Sequence, residues 1–188
     1  MATNTGPQIT IARKSGSAAL FKRMAGLTKT AAYVGIPASG KDARTQQLLE
    51  LAGKTNSKKK KARLTKSAKT DINNAELLFI QEHGSPINKI PARRVLGPSV
   101  EADGNKQAIA HELSASVKAS LEGDTEKSEQ KMLRAALAGQ NAARRWFTDG
   151  RNGWTPNAPS TVKRKGSDRP LIDTGAMRAA IVGVVREE

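Results

Sequence analysis

Four stretches of this chain carry residue types that could do chemistry. Residues 35–42, GIPASGKD, meet the G-x-x-x-x-G-K spacing of a loop that cradles phosphates with backbone amides. That loop needs Ser or Thr after the lysine to ligate magnesium, and Asp42 stands there with a charge that phosphates repel. No apolar strand ending in Asp follows to supply a second magnesium ligand, so a turn rich in small residues explains the stretch better than nucleotide binding. Glu82 and His83 could serve acid–base chemistry, but adjacent residues on a helix point in different directions, so a surface pair explains them better than a site. Asp173-Thr174-Gly175 matches the D-T-G of aspartic proteases. That chemistry needs a second carboxylate sharing the proton, and no such partner is visible. Asp173 or Thr174 is better read as the cap of a short helix. Residues 54–69, KTNSKKKKARLTKSAK, hold eight positive charges and no acid. They are either a solvated linker, disordered or looped, or a segment that neutralises phosphates. In the second case Lys58, Lys59, Lys60, Lys61 and Arg63 are the candidate DNA-phosphate contacts. Their binding should be nonspecific, weaken steeply with salt and involve no base stacking, because the stretch has no aromatic.

Other catalytic constellations are missing. The chain has two histidines and no cysteine, which removes thiolate nucleophiles, thiolate metal sites and disulfides. His111 lies off the apolar stripe of its helix. The reading is of a protein that is not an enzyme and that has no catalytic, metal or cofactor site.

The 188 residues suit one domain. Aromatics are only 3%, so the core must rest on Leu, Ile, Val, Ala and Met. A net charge of +15 resists compaction unless an anion lies nearby, with nucleic acid the commonest such partner and an acidic protein surface second. The first residues lack the apolar run of a signal peptide. No apolar stretch approaches the roughly 18 residues that span a bilayer, so no membrane partner is expected.

These residues need elements to hold them. Alternation predicts a strand over 8–12, 31–36 reads as a second that Pro37 stops, and the β-branched run 181–185 predicts a third, over 180–186. A helix begins at Ser15 or Ser17 and carries Leu20, Phe21, Met24 and Leu27 on one stripe. Further helices are predicted over 43–52 and over 71–84. In the second of these, Asn73 and Glu76 have capping-box spacing, Ala75, Leu78 and Phe79 share a face, and Gly84 closes the end. Two long helices, 105–121 and 126–147, are separated by Glu122-Gly123-Asp124 and form an αα-hairpin. The first shows Ile109, Leu113, Val117 and Leu121 at i, i+4 spacing; the second ends at Trp146, a core or interface anchor, with stacking on nucleic acid the lesser alternative. Beyond it the chain turns irregular. Pro159 starts a short helix over 160–165, Gly166 ends it, Arg169-Pro170 forces extension, and a second short helix runs to Met177. The fold class is therefore α+β: a small, mostly antiparallel sheet packed against two long helices, with irregular extended arms at 84–98 and 154–178. The late strand needs a partner for its backbone groups, and an early strand is the natural one.

The order W-x-P…P-S-T-V-x-R-K…P-L-I-D-T-G-x-M-R-x-x-I between Trp154 and Ile181 resembles the C-terminal signature of a phage virion-morphogenesis family, the neck or tail-completion proteins. Two upstream pieces resemble it too: Tyr33-Val34-Gly35-Ile36, and NAELLFIQEHG at 74–84 with IPARRVL at 90–96. Arg94 stands where the family commonly has proline, Ala180 where it has serine, and residues 41–70 look like a basic insertion. The resemblance implies a structural virion protein at the head–tail interface, made in the host cytoplasm. It would be a connector or tail-completion subunit that contacts portal or adaptor and tail proteins, and copies of itself in a ring, with packaged DNA touched nonspecifically in the channel. The arms would then be interfaces, through Ile90, Pro91, Arg93, Trp154, Pro170, Leu171, Asp173, Thr174 and Gly175. The alternative, resting on charge alone, is a stand-alone non-sequence-specific nucleic-acid-binding protein.

Overall fold

A computed structural model describes residues 16–27, 29–38 and 41–187. The strand expected over 8–12 lies outside these residues, as does Ser15. The described chain runs α1 (Gly16–Leu27), β1 (Thr30–Gly35), α2 (Lys41–Gly53), α3 (Lys58–Ala68), α4 (Asn74–His83), α5 (Leu96–Glu101), α6 (Asn105–Glu122), α7 (Thr125–Trp146), a 3-10 turn (Gly150–Asn152), α8 (Pro159–Lys165), α9 (Ala176–Ala179) and β2 (Val182–Glu187). The class is α+β, as the patterning predicts.

β1 and β2 pair antiparallel, from Thr30 opposite Glu187 to Gly35 opposite Val182. The early strand is thus the partner that the late strand requires. This pairing also bears on the phosphate-loop reading. Among the described residues the strand preceding 35–42 has an antiparallel neighbour, not the parallel strand of a nucleotide-hydrolase sheet.

The sheet lies on α7 at very short range. A Cβ on Gly139 would meet Val34 Cγ2 at 2.6 Å, and a Cβ on Gly183 would collide with the carbonyl of Ala136. Gln140 Oε1 accepts the Gly183 amide at 2.9 Å, satisfying a donor on the strand. Below this contact sits the main core: Leu78, Val95, Ala143, Trp146, Phe147, Met177 and Ile181. Full burial of such side chains stabilises by about 1.5–3 kcal/mol each. Trp146 is a core residue, which settles the choice between anchor and exposed stacking platform.

The αα-hairpin forms as expected, with Gly123 left-handed at the end of α6 and Asp124 accepting the Lys127 amide to cap α7. Its packing face differs from the expected stripe. Ser116 and Ala119 are the buried residues of α6, whereas Val117 and Leu121 are exposed. The buried positions of α7 are mostly small as well, Ser128, Ala135, Ala136, Gly139, Ala142 and Ala143 beside Met132 and Trp146. Ser116 Oγ donates to the Ser128 carbonyl at 2.8 Å within this contact.

Residues 54–69 correct the linker reading. Ser57 accepts the Lys60 amide and caps α3. Leu64 and Ala68, one turn apart, pack on Leu48 and Ala52 of α2 as a second, smaller core. Four apolar side chains at helical spacing order a segment whose charge alone indicates a solvated one.

Candidate functional site

The capping box predicted for α4 is present: Asn73 Oδ1 accepts the Glu76 amide, and Glu76 Oε2 accepts the Asn73 amide. Glu82 and His83 are the last two residues of this helix, just before the first arm. Both side chains make local contacts. Glu82 Oε1 accepts the amides of Val95 and Leu96, each at 2.7 Å, which fixes the entry to α5. His83 Nδ1 lies 2.9 Å from the Phe79 carbonyl, with its ring on Phe79. Phe79 itself is 64% exposed, so it does not share the buried face of Leu78. Gly84 holds φ 75°, and a Cβ there would press on backbone atoms of Ile90 and Ala92 at 2.8 Å.

The two arms grip each other. Arg93 is 7% exposed and donates from Nε and Nη2 to the Thr155 carbonyl, and from Nη2 to that of Pro156. Burial lowers its pKa from the ordinary arginine value. Trp154 Nε1 donates to the Arg94 carbonyl at 3.0 Å, and its ring meets Phe147 edge-on at 5.8 Å. Ile90 and Pro91 are half-buried on the same arm. Arg93, read from sequence as an interface residue, is therefore turned inward: it joins arm to arm within one chain. Glu82 is the fastener that sequence reasoning missed, and it carried no signal beyond its place before a Pro-rich loop.

The second arm continues through α8, which Pro159 opens and a left-handed Gly166 closes. Asn157 Nδ2 donates to the Asp168 carbonyl, and Lys165 Nζ to that of Arg169. After Pro170, Leu171 adopts φ 55°, an uncommon conformation for a bulky residue, and Leu171 and Ile172 pack against the main core. Gly175, left-handed at φ 81°, is the N-cap of α9 and no side chain caps the helix, so neither Asp173 nor Thr174 is the cap; Thr174 Oγ1 accepts the Ala176 amide in a local turn. Asp173 instead takes Arg63 Nη2 at 2.8 Å. Arg144 and Arg178 then lock the exit reciprocally: Arg144 donates to the Ile181 and Ala179 carbonyls, and Arg178 to the Arg144 carbonyl.

The basic segment sits beside this arm. Arg63 also donates from Nη1 to the Arg164 carbonyl at 3.1 Å, which brings α3 against the last turn of α8. Lys58, Lys59, Lys60 and Lys61 face solvent, whereas Arg63 is half-buried and occupied by Asp173 and Arg164. Of the five residues read as phosphate contacts, Arg63 is thus a structural tie. Lys163 and Arg164 are exposed next to it. Lys165 has its pKa lowered, first by burial, and the nearby Arg93, Arg164 and Arg63 add to this against the opposing pull of Asp173.

The helical hairpin α2–α3 is tied on its other side by Arg44, whose Nη1 donates to the Ile72 carbonyl at 2.8 Å and to Thr70 Oγ1 at 3.0 Å. Among the described residues no group of three His, Cys, Asp or Glu side chains could hold a metal ion, and no helix is long and apolar enough to cross a membrane. Comparison with known protein families, with curated proteins and with solved structures found no match.

Proposed function

We propose that this chain is a structural subunit of a phage neck, a head–tail connector or tail-completion protein that joins portal or adaptor to tail in a homo-oligomeric ring. The observation that carries this reading is α1. Every described side chain from Ser17 to Gly26 is exposed, including Leu20 at 41%, Phe21 at 69% and Met24 at 48%. An amphipathic helix normally buries its apolar stripe, and a large uncovered stripe marks an interaction site. α1 packs chiefly on α6, with Arg23 Nη1 donating to the Leu121 carbonyl, and α6 leaves Val117 and Leu121 exposed in turn. A second copy laid against α1 supplies the missing half of that core, and a repeated head-to-tail contact closes a ring. The residues that could suggest catalysis are committed elsewhere: Glu82 to two amides, Asp173 to an arginine. The resemblance over 31–36 and 74–185 supports the particular place in the particle. The test is the mass of the full chain in solution beside a Leu20→Ser/Phe21→Ser/Met24→Ser variant. Assembly by the natural chain and its loss in the variant support the reading.

Within such a ring, lysines facing the channel would touch packaged DNA through phosphates. A stand-alone nucleic-acid-binding protein is the second reading, favoured by the solvent-facing lysines of α3. A monomer that binds DNA tightly and in a salt-sensitive way supports it over the first.

A further inference from the structure

The basic charge of this chain is gathered in space, not only in sequence. Residues 54–69 hold eight basic side chains and no acid, and 159–170 hold four with Asp168 the one acid; Asp173, just beyond, is taken by Arg63. The contact of Arg63 with the Arg164 carbonyl joins the two stretches across 101 positions. On α3, Lys59, Lys60 and Lys66 lie three or four residues from Arg63 and so share its face. The last turn of α8 reaches that face through the Arg164 carbonyl, and Lys163 and Arg164 on this turn are exposed. Nothing in the fold demands this: the first turn of α3 carries lysines and no acid, although cations at a helix N-terminus oppose the helix dipole. A local rule broken without a structural gain points to function.

We propose that α3 and α8 together form one binding surface for the phosphate backbone of duplex nucleic acid. Lys59, Lys60, Lys66, Lys163 and Arg164 make the phosphate contacts, and the Arg63–Asp173 pair positions the two helices. The surface is cationic and lacks the exposed aromatic or apolar anchors that protein interfaces use at their centre, which favours nucleic acid over an acidic protein. The absence of aromatics also removes stacking on unpaired bases, which favours a duplex. The inference rests on the DNA-contact part of the reading above and not on ring assembly.

The test is fluorescence anisotropy of a short random-sequence DNA duplex with the full chain over a salt series. Five phosphate contacts give a slope of log affinity against log salt of roughly −4.5, at about −0.9 per contact. Lys163→Gln/Arg164→Gln should flatten that slope by about 1.8, and Lys59→Gln/Lys60→Gln/Lys66→Gln by about 2.7. Asp173→Asn separates positioning from charge: it raises the net charge, yet by freeing Arg63 it should weaken binding. Circular dichroism checks that each variant keeps its helices. If the double variant unfolds, the single Lys163→Gln and Arg164→Gln chains should each flatten the slope by about 0.9. Failure of the natural chain to bind duplex, binding by the α8 variant with an unchanged slope, tighter binding by Asp173→Asn, or equal salt-sensitive binding of polyglutamate overturns the proposal. Mass measured on the same sample reports separately on the ring: a monomer with the expected slope sinks the connector reading and leaves this one standing.

Discussion

Arg93 donates to the carbonyl of Thr155 through both Nε and Nη2, at 3.0 and 2.9 Å, across 62 positions of sequence. One guanidinium therefore sets the spacing between the two irregular arms. A planar fork can reach a single oxygen twice and still serve Pro156; an ammonium cannot reproduce that geometry. Arg93→Met should cost on the order of 2 kcal/mol, the scale of lost hydrogen bonds to a charged donor. Arg93→Lys should recover less than half of it. Urea denaturation measures both, and proteolysis within 154–175 should quicken in parallel. Equal stability of the lysine and arginine forms would show that charge, not the fork, holds the arms.

Two glycines of the same sheet should respond oppositely to alanine. The Cβ of Gly183→Ala has nowhere to go, because the Ala136 carbonyl occupies its place on the rigid backbone of α7. The expected loss is about 3 kcal/mol or more, at the upper end of overpacking costs. Gly35→Ala meets nothing within 4 Å and should change stability by no more than about 0.5 kcal/mol. Thermal melts of the two variants side by side make the comparison, and a stable Gly183→Ala chain contradicts the close contact.

Asp149 begins the turn that releases α7 into the second arm. Its Oδ1 accepts both the backbone amide and the Nε of Arg151, and its Oδ2 accepts Arg151 Nη2 at 2.7 Å. The Arg151 side chain first, and its amide second, lower the carboxyl from the ordinary 3.8 to about 2. A depressed carboxylate favours the folded state above the unfolded pKa, and that contribution disappears as pH falls through the folded value. The contribution of this clip to the 150–152 turn should therefore start to fall below pH about 3.8 and be lost as pH passes through about 2. Carbon-detected NMR titration of the Asp149 carboxyl reads the midpoint directly; a midpoint near 3.8 removes the clip.

The strands, the capping box and the helix stops could be read from sequence because each rests on local chemistry. The strand at 31–36 stopped by Pro37, the β-branched run within 180–186, Asn73 with Glu76, and Gly84, Gly123 and Gly166 act within a few residues of themselves. What could not be read depends on close approach between distant segments. Val117 and Leu121 look like a core stripe, but Ser116 and Ala119 are the buried residues, with Ser116 bonded to Ser128 of α7. The helix at 58–68 was hidden by its charge, since Leu64 and Ala68 mean little until Leu48 and Ala52 are opposite. Asp173 reads as a cap, and only the fold reveals Arg63, 110 positions away. Glu82 reads as half of a surface pair, and only the return of Val95 and Leu96 shows why it is there.

Assembly through α1 is the central claim, and sedimentation velocity of the full chain over a concentration series tests it most directly. The expected result is a discrete oligomer that Phe21→Asp with Met24→Asp dissolves into monomers of unchanged helical content. A natural chain that stays monomeric at every concentration, or an oligomer indifferent to both substitutions, contradicts it.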